Sequence, residues 1–142
     1  MSAPLYNAEI LRLAATIPHH ERLADPMATA EKRSAICGSR VTVDVALDEA
    51  GRVGDVGMLV RACALGQASS SLLAANVIGR TPEELAAARD ALTDWLAGTG
   101  ERPDWPGIDI FTPALDYSAR HPSIRHAFEA AAEAAATAKA AR

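Results

Sequence analysis

The sequence predicts an α+β fold: a small antiparallel sheet of two or three strands, packed on one face by about four helices, in a single domain spanning residues 1–142. Three observations predict it. Two central runs alternate apolar and polar residues about a turn; apolar residues recur at helical spacing on both sides of them; and Thr81-Pro82-Glu83-Glu84 spells a helix start. The length suits one core. With 49% hydrophobic residues but 4% aromatics, Leu, Val, Ile and Ala must build that core.

Leu5, Ile10, Leu11, Leu13, Ala14 and Ile17 follow helical spacing, so Tyr6 to Ile17 reads as an amphipathic helix ended near Pro18. His19 to Ala35 is polar and aperiodic, a loop with room for one short edge strand around Lys32 to Ile36. Val41, Val43, Val45 and Leu47 then alternate with Thr42, Asp44 and Ala46, and Val56, Met58 and Val60 share one face of Val53 to Arg61. Between the two runs Asp48-Glu49-Ala50-Gly51 is turn chemistry, with Gly51 able to take positive φ, so the pair reads as an antiparallel hairpin.

A helix is expected over Ala68 to Ile78, stopped at Gly79. Thr81 reads as the N-cap of the next, with Pro82 in its first turn and Glu84 closing a capping box, and this helix runs to about Leu96. Gly98 to Pro113 is rich in Gly and Pro and reads as a long loop. From Pro122 the chain is helical to its end, with Ile124 and Phe128 as anchors and an alanine-rich tail expected to fray.

The net charge of -4 and a pI near 5.5 argue against a nucleic-acid partner, because the 14 Lys and Arg are scattered along the chain. Glu9 and Arg12 interrupt the N-terminal apolar stretch, so no signal peptide or membrane span is expected there and the cytoplasm is the expected compartment. Two cysteines in that compartment stay thiols, and without a CxxC they offer neither a disulfide framework nor zinc-knuckle spacing.

Cys37 and Cys63 are distant in sequence, but the hairpin brings them together. If the turn spans 48–51, paired positions have numbers summing to about 99, and Cys37 falls opposite position 62 at the open end. Opposed Cβ atoms lie roughly 5 Å apart, a span one metal or small cluster bridges. The helix expected after Cys63 adds unpaired amides and a dipole that favour a thiolate, with Ser69, Ser70 and Ser71 as its capping residues. A lone free cysteine is more often a small buried hydrophobe; two that converge beside Gly38 and Gly66 favour function. His19, His20 and His126 read as surface residues, and His121 as a solvated neighbour of a helix cap.

These residues resemble the iron-sulfur cluster assembly scaffold family, the NifU-like N-terminal domain. Cys37-Gly38 stands just before a strand, and Cys63 is followed by Ala68-Ser69-Ser70-Ser71 at the interval family members show. Tyr6-Asn7 and the Thr81-Pro82-Glu83-Glu84 start are also similar, so the resemblance covers nearly the whole chain. The family's third cysteine sits in text that Arg120-His121-Pro122-Ser123, then Ala127-Phe128, matches; this puts Ser123 in its place, while Ser39 replaces the aspartate of Cys-Gly-Asp. The resemblance implies a NifU/SufE-like fold and a site of Cys37, Cys63, Ser39 and Ser123, with His121 as an imidazole two positions away. It implies an iron-sulfur cluster as cargo, a 2Fe–2S unit first, with zinc as an alternative in the isolated protein. It also implies a cysteine desulfurase and apo iron-sulfur proteins as partners, no catalytic turnover, and a monomer or weak homo-oligomer.

Serine hydroxyls are poor iron ligands beside thiolates, so two thiolates leave half of a four-ligand site open. Three functions are therefore weighed: a scaffold or carrier that passes its cluster to recipients; a degenerate relative acting as an interaction module with zinc or no metal; and, lowest, an enzyme with Cys63 as nucleophile and His121 as base.

Overall fold

The structure is a computed structural model, and it describes residues 6–34 and 38–141. Asn7 caps the first helix, α1 (Ala8–Ala15), its Oδ1 accepting the Ile10 N–H at 3.0 Å. Only Ile10 of this helix is fully buried; Leu11, on the expected apolar stripe, is exposed. Three strands follow, β1 (Ala28–Arg33), β2 (Arg40–Leu47) and β3 (Val53–Arg61), in the order β1-β2-β3 and antiparallel throughout. The edge strand thus exists, but it begins four residues before Lys32.

The β2–β3 hairpin forms with a longer connection than the turn at 48–51. Asp48 N–H donates to Arg52 O, and Asp48 Oδ1 accepts the amides of Ala50 and Arg52. Gly51 supplies the positive φ, at 81°. With a register shift at Ala46/Leu47, partners such as Val43 and Met58 sum to 101, two more than expected. Val41, Val43, Val45, Val56, Met58 and Val60 are all buried.

The strands are less half-buried than their alternation suggests. Thr42 and Asp44, expected on a wet face, are buried too. The chain at 19–23 crosses that face of the sheet: Met58 N–H donates to His19 O at 2.9 Å, and Leu23 N–H to Asp44 Oδ2 at 3.0 Å. Gly57 makes the crossing possible, since a Cβ there would stand 2.4 Å from Glu21 O. Asp44 also takes two bonds from Arg22, at 2.6 and 3.0 Å, and one from Thr29 Oγ1 at 2.6 Å. Burial pushes the Asp44 carboxyl up, but these bonds and the Arg22 charge outweigh it and hold the group below its ordinary pKa.

The helix after Cys63, α2 (Ala64–Asn76), starts four residues before Ala68, and its three serines are interior rather than capping. All three are buried, with hydroxyls donating to Ile124 O, Gly66 O and Thr16 O at 2.6, 2.8 and 3.1 Å. Two of those bonds tie α2 to other elements. Helix α3 (Pro82–Leu96) starts as expected, with Thr81 and Glu84 forming a capping box. Within the expected loop at 98–113, the chain from Ile108 winds into 3₁₀ turns, Ile108–Asp116, that seat Phe111 in the core.

Helix α4 (His121–Ala140) packs on β1, β2, α2 and α3. Ile124 and Phe128 anchor it as expected, but its tail does not fray: Ala130, Ala131, Ala132, Ala134, Ala135 and Ala138 are buried. Alanine lets α4 lie close against the sheet and its neighbouring helices. Among the described residues, no helix is long and apolar enough to cross a membrane.

Candidate functional site

At the end of the sheet where β1 passes to β2 and β3 passes to α2, the chain leaves a cavity of about 630 Å³. It is lined by Ser34, Gly38 and Ser39 from the β1–β2 connection, Arg61 to Cys63 from the β3–α2 junction, and Ala119, Arg120, Pro122 and Ser123 at the start of α4. Three of the residues singled out in the sequence, Cys63, Ser39 and Ser123, therefore share one cavity. Cys37 lies outside the described residues.

Each wall has a local cause. The β1–β2 connection is closed by Ser34 N–H donating to Ser39 O at 2.9 Å, which extends the ladder one step past Arg33 and Arg40. Ser39 is buried. Cys63 is the N-cap residue of α2, extended at φ -66° and ψ 171°, with no side-chain bond to the helix amides. It is a free, half-buried thiol. Ser123 comes to the cavity because α4 begins beside α2. Gly66 packs beside it, where a Cβ would reach contact distance of Ser123 O at 3.4 Å and press on Ala62 Cβ at 2.8 Å.

His121 is placed otherwise. Its ring is buried, with Nε2 2.9 Å from Ala114 O, and it is not among the residues that line the cavity. One ring nitrogen is thus engaged by the 3₁₀ segment, and the ring does not line the cavity that holds Cys63, so the structure gives no support to an acid-base pair between them. His126, expected at the surface, is buried on α4. Burial pushes its pKa down, Glu129 opposes this, and Arg125 and Lys32 add to the fall.

The charge of the cavity is a feature the sequence did not disclose. Arg61 and Arg120 line it, no acidic side chain among the described residues does, and neither arginine has an ion-pair partner among those residues. Arg33 and Arg40 line a smaller recess beside it with Ser34, Gly38, Ser39 and Arg61, and these two share Glu31 at 2.7 and 3.6 Å. Two arginines 59 positions apart carry no sequence signal; only the fold makes them a pair. No group of three or more His, Cys, Asp or Glu suited to a metal occurs among the described residues.

Comparison with known proteins agrees with this architecture. Residues 5–104 match the family model described as the NifU-like N terminal domain. The iron-sulfur cluster assembly scaffold protein IscU of Streptococcus pyogenes serotype M1 is 28% identical over 81 residues, 57% of this chain; the match spans about half the length of that relative. A crystal structure of the N-terminal part of a nitrogen-fixing NifU-like protein from Brucella abortus superposes with a TM-score of 0.89 at 42% identity, covering 97% of this chain and 96% of that one. A SUF-system candidate scaffold from Fervidobacterium islandicum AW-1 has a TM-score of 0.84 at 20% identity, over 92% and 96% of the two chains, and shares the fold.

Proposed function

This chain belongs to the NifU-like N-terminal domain family, and we propose that it is an iron-sulfur cluster assembly scaffold or carrier that holds iron or a small cluster at Cys37 and Cys63 and passes it to recipient proteins. One observation carries the reading: Cys63, Ser39 and Ser123 line a single open cavity at the end of the sheet. Cys37 stands two residues before Ser39 in the sequence, within the connection that the Ser34–Ser39 bond closes.

The chemistry follows from the donor set. Thiolates hold iron in such clusters, and a neutral serine hydroxyl is a weak donor until it loses a far less acidic proton. Cys37 and Cys63 are the strong ligands, with Ser39 and Ser123 as oxygen donors at the remaining places. Such a site binds loosely, which suits a protein whose task is transfer. The cargo is a 2Fe–2S unit, and zinc occupies the thiolates when iron is absent. A cysteine desulfurase supplies sulfur, apo iron-sulfur proteins receive the product, and the protein catalyses no turnover of its own.

Anaerobic reconstitution with ferrous iron and sulfide tests the proposal. The expected result is sulfide-to-iron charge-transfer absorption that disappears in Cys37→Ala and in Cys63→Ala. A colourless, iron-free protein after that treatment sinks the proposal and leaves a fold that serves as an interaction module.

A further inference from the structure

Helices α2 and α4 both begin at the cavity: Cys63 is the N-cap residue of α2, Ser123 is the third residue of α4, and both line it. Helix α4 does not fix its own start. Its N-cap, Arg120, makes no side-chain bond to the helix amides, and Pro122 removes one amide from the first turn. Two bonds from outside hold that turn instead. The His121 ring, with Nε2 2.9 Å from Ala114 O, ties it to the 3₁₀ segment. Ser69 Oγ donates to Ile124 O at 2.6 Å and ties it to α2. Ser69 is fully buried and lies one turn beyond Gly66, which packs beside Ser123. Ile124 follows Ser123 directly in the chain. The Ser69 bond therefore joins the helix that starts at Cys63 to the turn that carries Ser123.

We propose that Ser69 is a positioning residue of this site: its bond to Ile124 O sets the separation of Ser123 from Cys63, and through it how long the cargo is held. The inference rests on the proposed function and deepens it by naming what places the Ser123 oxygen. A weak oxygen donor helps to hold iron only where it is already aimed, because little binding energy is left to draw a misplaced hydroxyl into reach. The neighbouring serines serve other ends. Ser70 Oγ donates to Gly66 O within α2, and Ser71 Oγ donates to Thr16 O at the end of α1. Ser71 is thus a buried serine of the same helix whose bond leads to α1 and not to α4. It separates a loss of fold stability from a loss of placement at Ser123.

The experiment loads the full chain anaerobically with ferrous iron and sulfide and follows cluster loss to a chelator by absorption. The parent is compared with Ser69→Ala, Ser71→Ala, Ser123→Ala and the double variant Ser69→Ala/Ser123→Ala. Alanine suits the helix interior and Ile124 O keeps its intrahelical partner, so the variants should fold, which thermal melting checks. Ser69→Ala is expected to lose its cluster at least about threefold faster than the parent and to change the visible circular dichroism of the bound cluster. Ser71→Ala should change neither, for a comparable fall in melting temperature. Ser123→Ala is expected to lose its cluster at least as fast as Ser69→Ala. Adding Ser69→Ala to it should make no further difference, because no hydroxyl is left to place. A Ser69→Ala chain that holds its cluster as the parent does overturns the inference. So does an effect that persists undiminished in the Ser123→Ala background or that Ser71→Ala matches. In each of these cases the scaffold reading stands. A parent chain that takes up no cluster overturns that reading, and the inference with it.

Discussion

Gly66 of α2 lies so close to Ala62 that no methyl group fits between them: a Cβ on Gly66 would stand 2.8 Å from Ala62 Cβ, while Ser123 O of α4 would be at 3.4 Å, the edge of ordinary contact. A glycine inside a helix ordinarily costs about 0.5–1 kcal/mol relative to alanine. Here the gain on substitution is offset, because Ala62 immediately precedes Cys63 and has no flexible end to swing aside. Gly66→Ala is therefore expected to change stability by less than about 1 kcal/mol, either way, while lowering cluster loading. Thermal melting and absorption after reconstitution measure the two effects separately. Loading equal to that of the parent chain would show that the close Ala62–Gly66 packing beside Cys63 does not set the site.

Ser123 is the place where the chain can be pushed toward stronger binding. It lines the cavity with Cys63, so Ser123→Cys should convert a weak oxygen-donor position into a thiolate-ligated one. Cluster retention under a chelator challenge is expected to rise on the order of tenfold or more, a scale typical of changes around a metal site. Transfer to an acceptor protein should slow correspondingly, since a better-held cluster leaves less readily. If the variant loses its cluster as fast as the parent, Ser123 does not stand at a ligand position.

The elements written in local patterns were legible in the sequence. The α3 start needs only Thr81, Pro82 and Glu84, and the hairpin arms need only a period of two. What was missed depends on distant partners. β1 reads Ala-Thr-Ala-Glu-Lys-Arg, a poor strand by itself, and exists by pairing with β2. The serines of α2 look like caps because their long-range bonds to Ile124 and Thr16 cannot be seen in a chain of letters. An alanine tail reads alike whether it frays or packs, and the sheet decides. Within the site, Ser39 and Ser123 were found through family resemblance and Cys63 through the hairpin and the helix that follows it, while hairpin arithmetic erred by two, one from the longer connection and one from the register shift at Ala46/Leu47. Arg120 entered only as part of the text around Ser123, and nothing in the sequence paired it with Arg61.

Asp44 ties the 19–23 crossing to the sheet, and its removal should be felt throughout the fold. Asp44→Ala leaves Thr29 Oγ1 and Leu23 N–H without their acceptor and is expected to cost about 2–3 kcal/mol in urea unfolding at neutral pH. The carboxyl sits below its ordinary value of 3.8 in the folded chain. Its stabilising contribution is therefore complete above that value and is lost as pH falls through the lower, folded value. Asp44→Asn, measured between neutral pH and pH of about 3, should show a shallower acid loss than the parent. Equal slopes would mean that other carboxylates govern acid unfolding.

His126 acts in a separate and higher pH window. Burial is the largest cause of its lowered pKa, with Arg125 and Lys32 adding to it and Glu129 opposing. The unfolded chain therefore takes up the proton more readily than the folded one. Stability is therefore undiminished above the ordinary imidazole value of 6.5 and declines as pH drops below it, until the folded value is passed. This is well above the range in which Asp44 titrates, so the two contributions can be read from one chain. His126→Leu removes the titrating group while keeping an apolar body of similar size, and stability at pH of about 7.5 should change by less than about 1.5 kcal/mol. From there toward pH of about 5 the parent should lose stability while the variant holds nearly level. Parallel curves from urea unfolding at a series of pH values would exclude His126 as the origin of the decline, because a neutral leucine cannot reproduce a proton-linked slope.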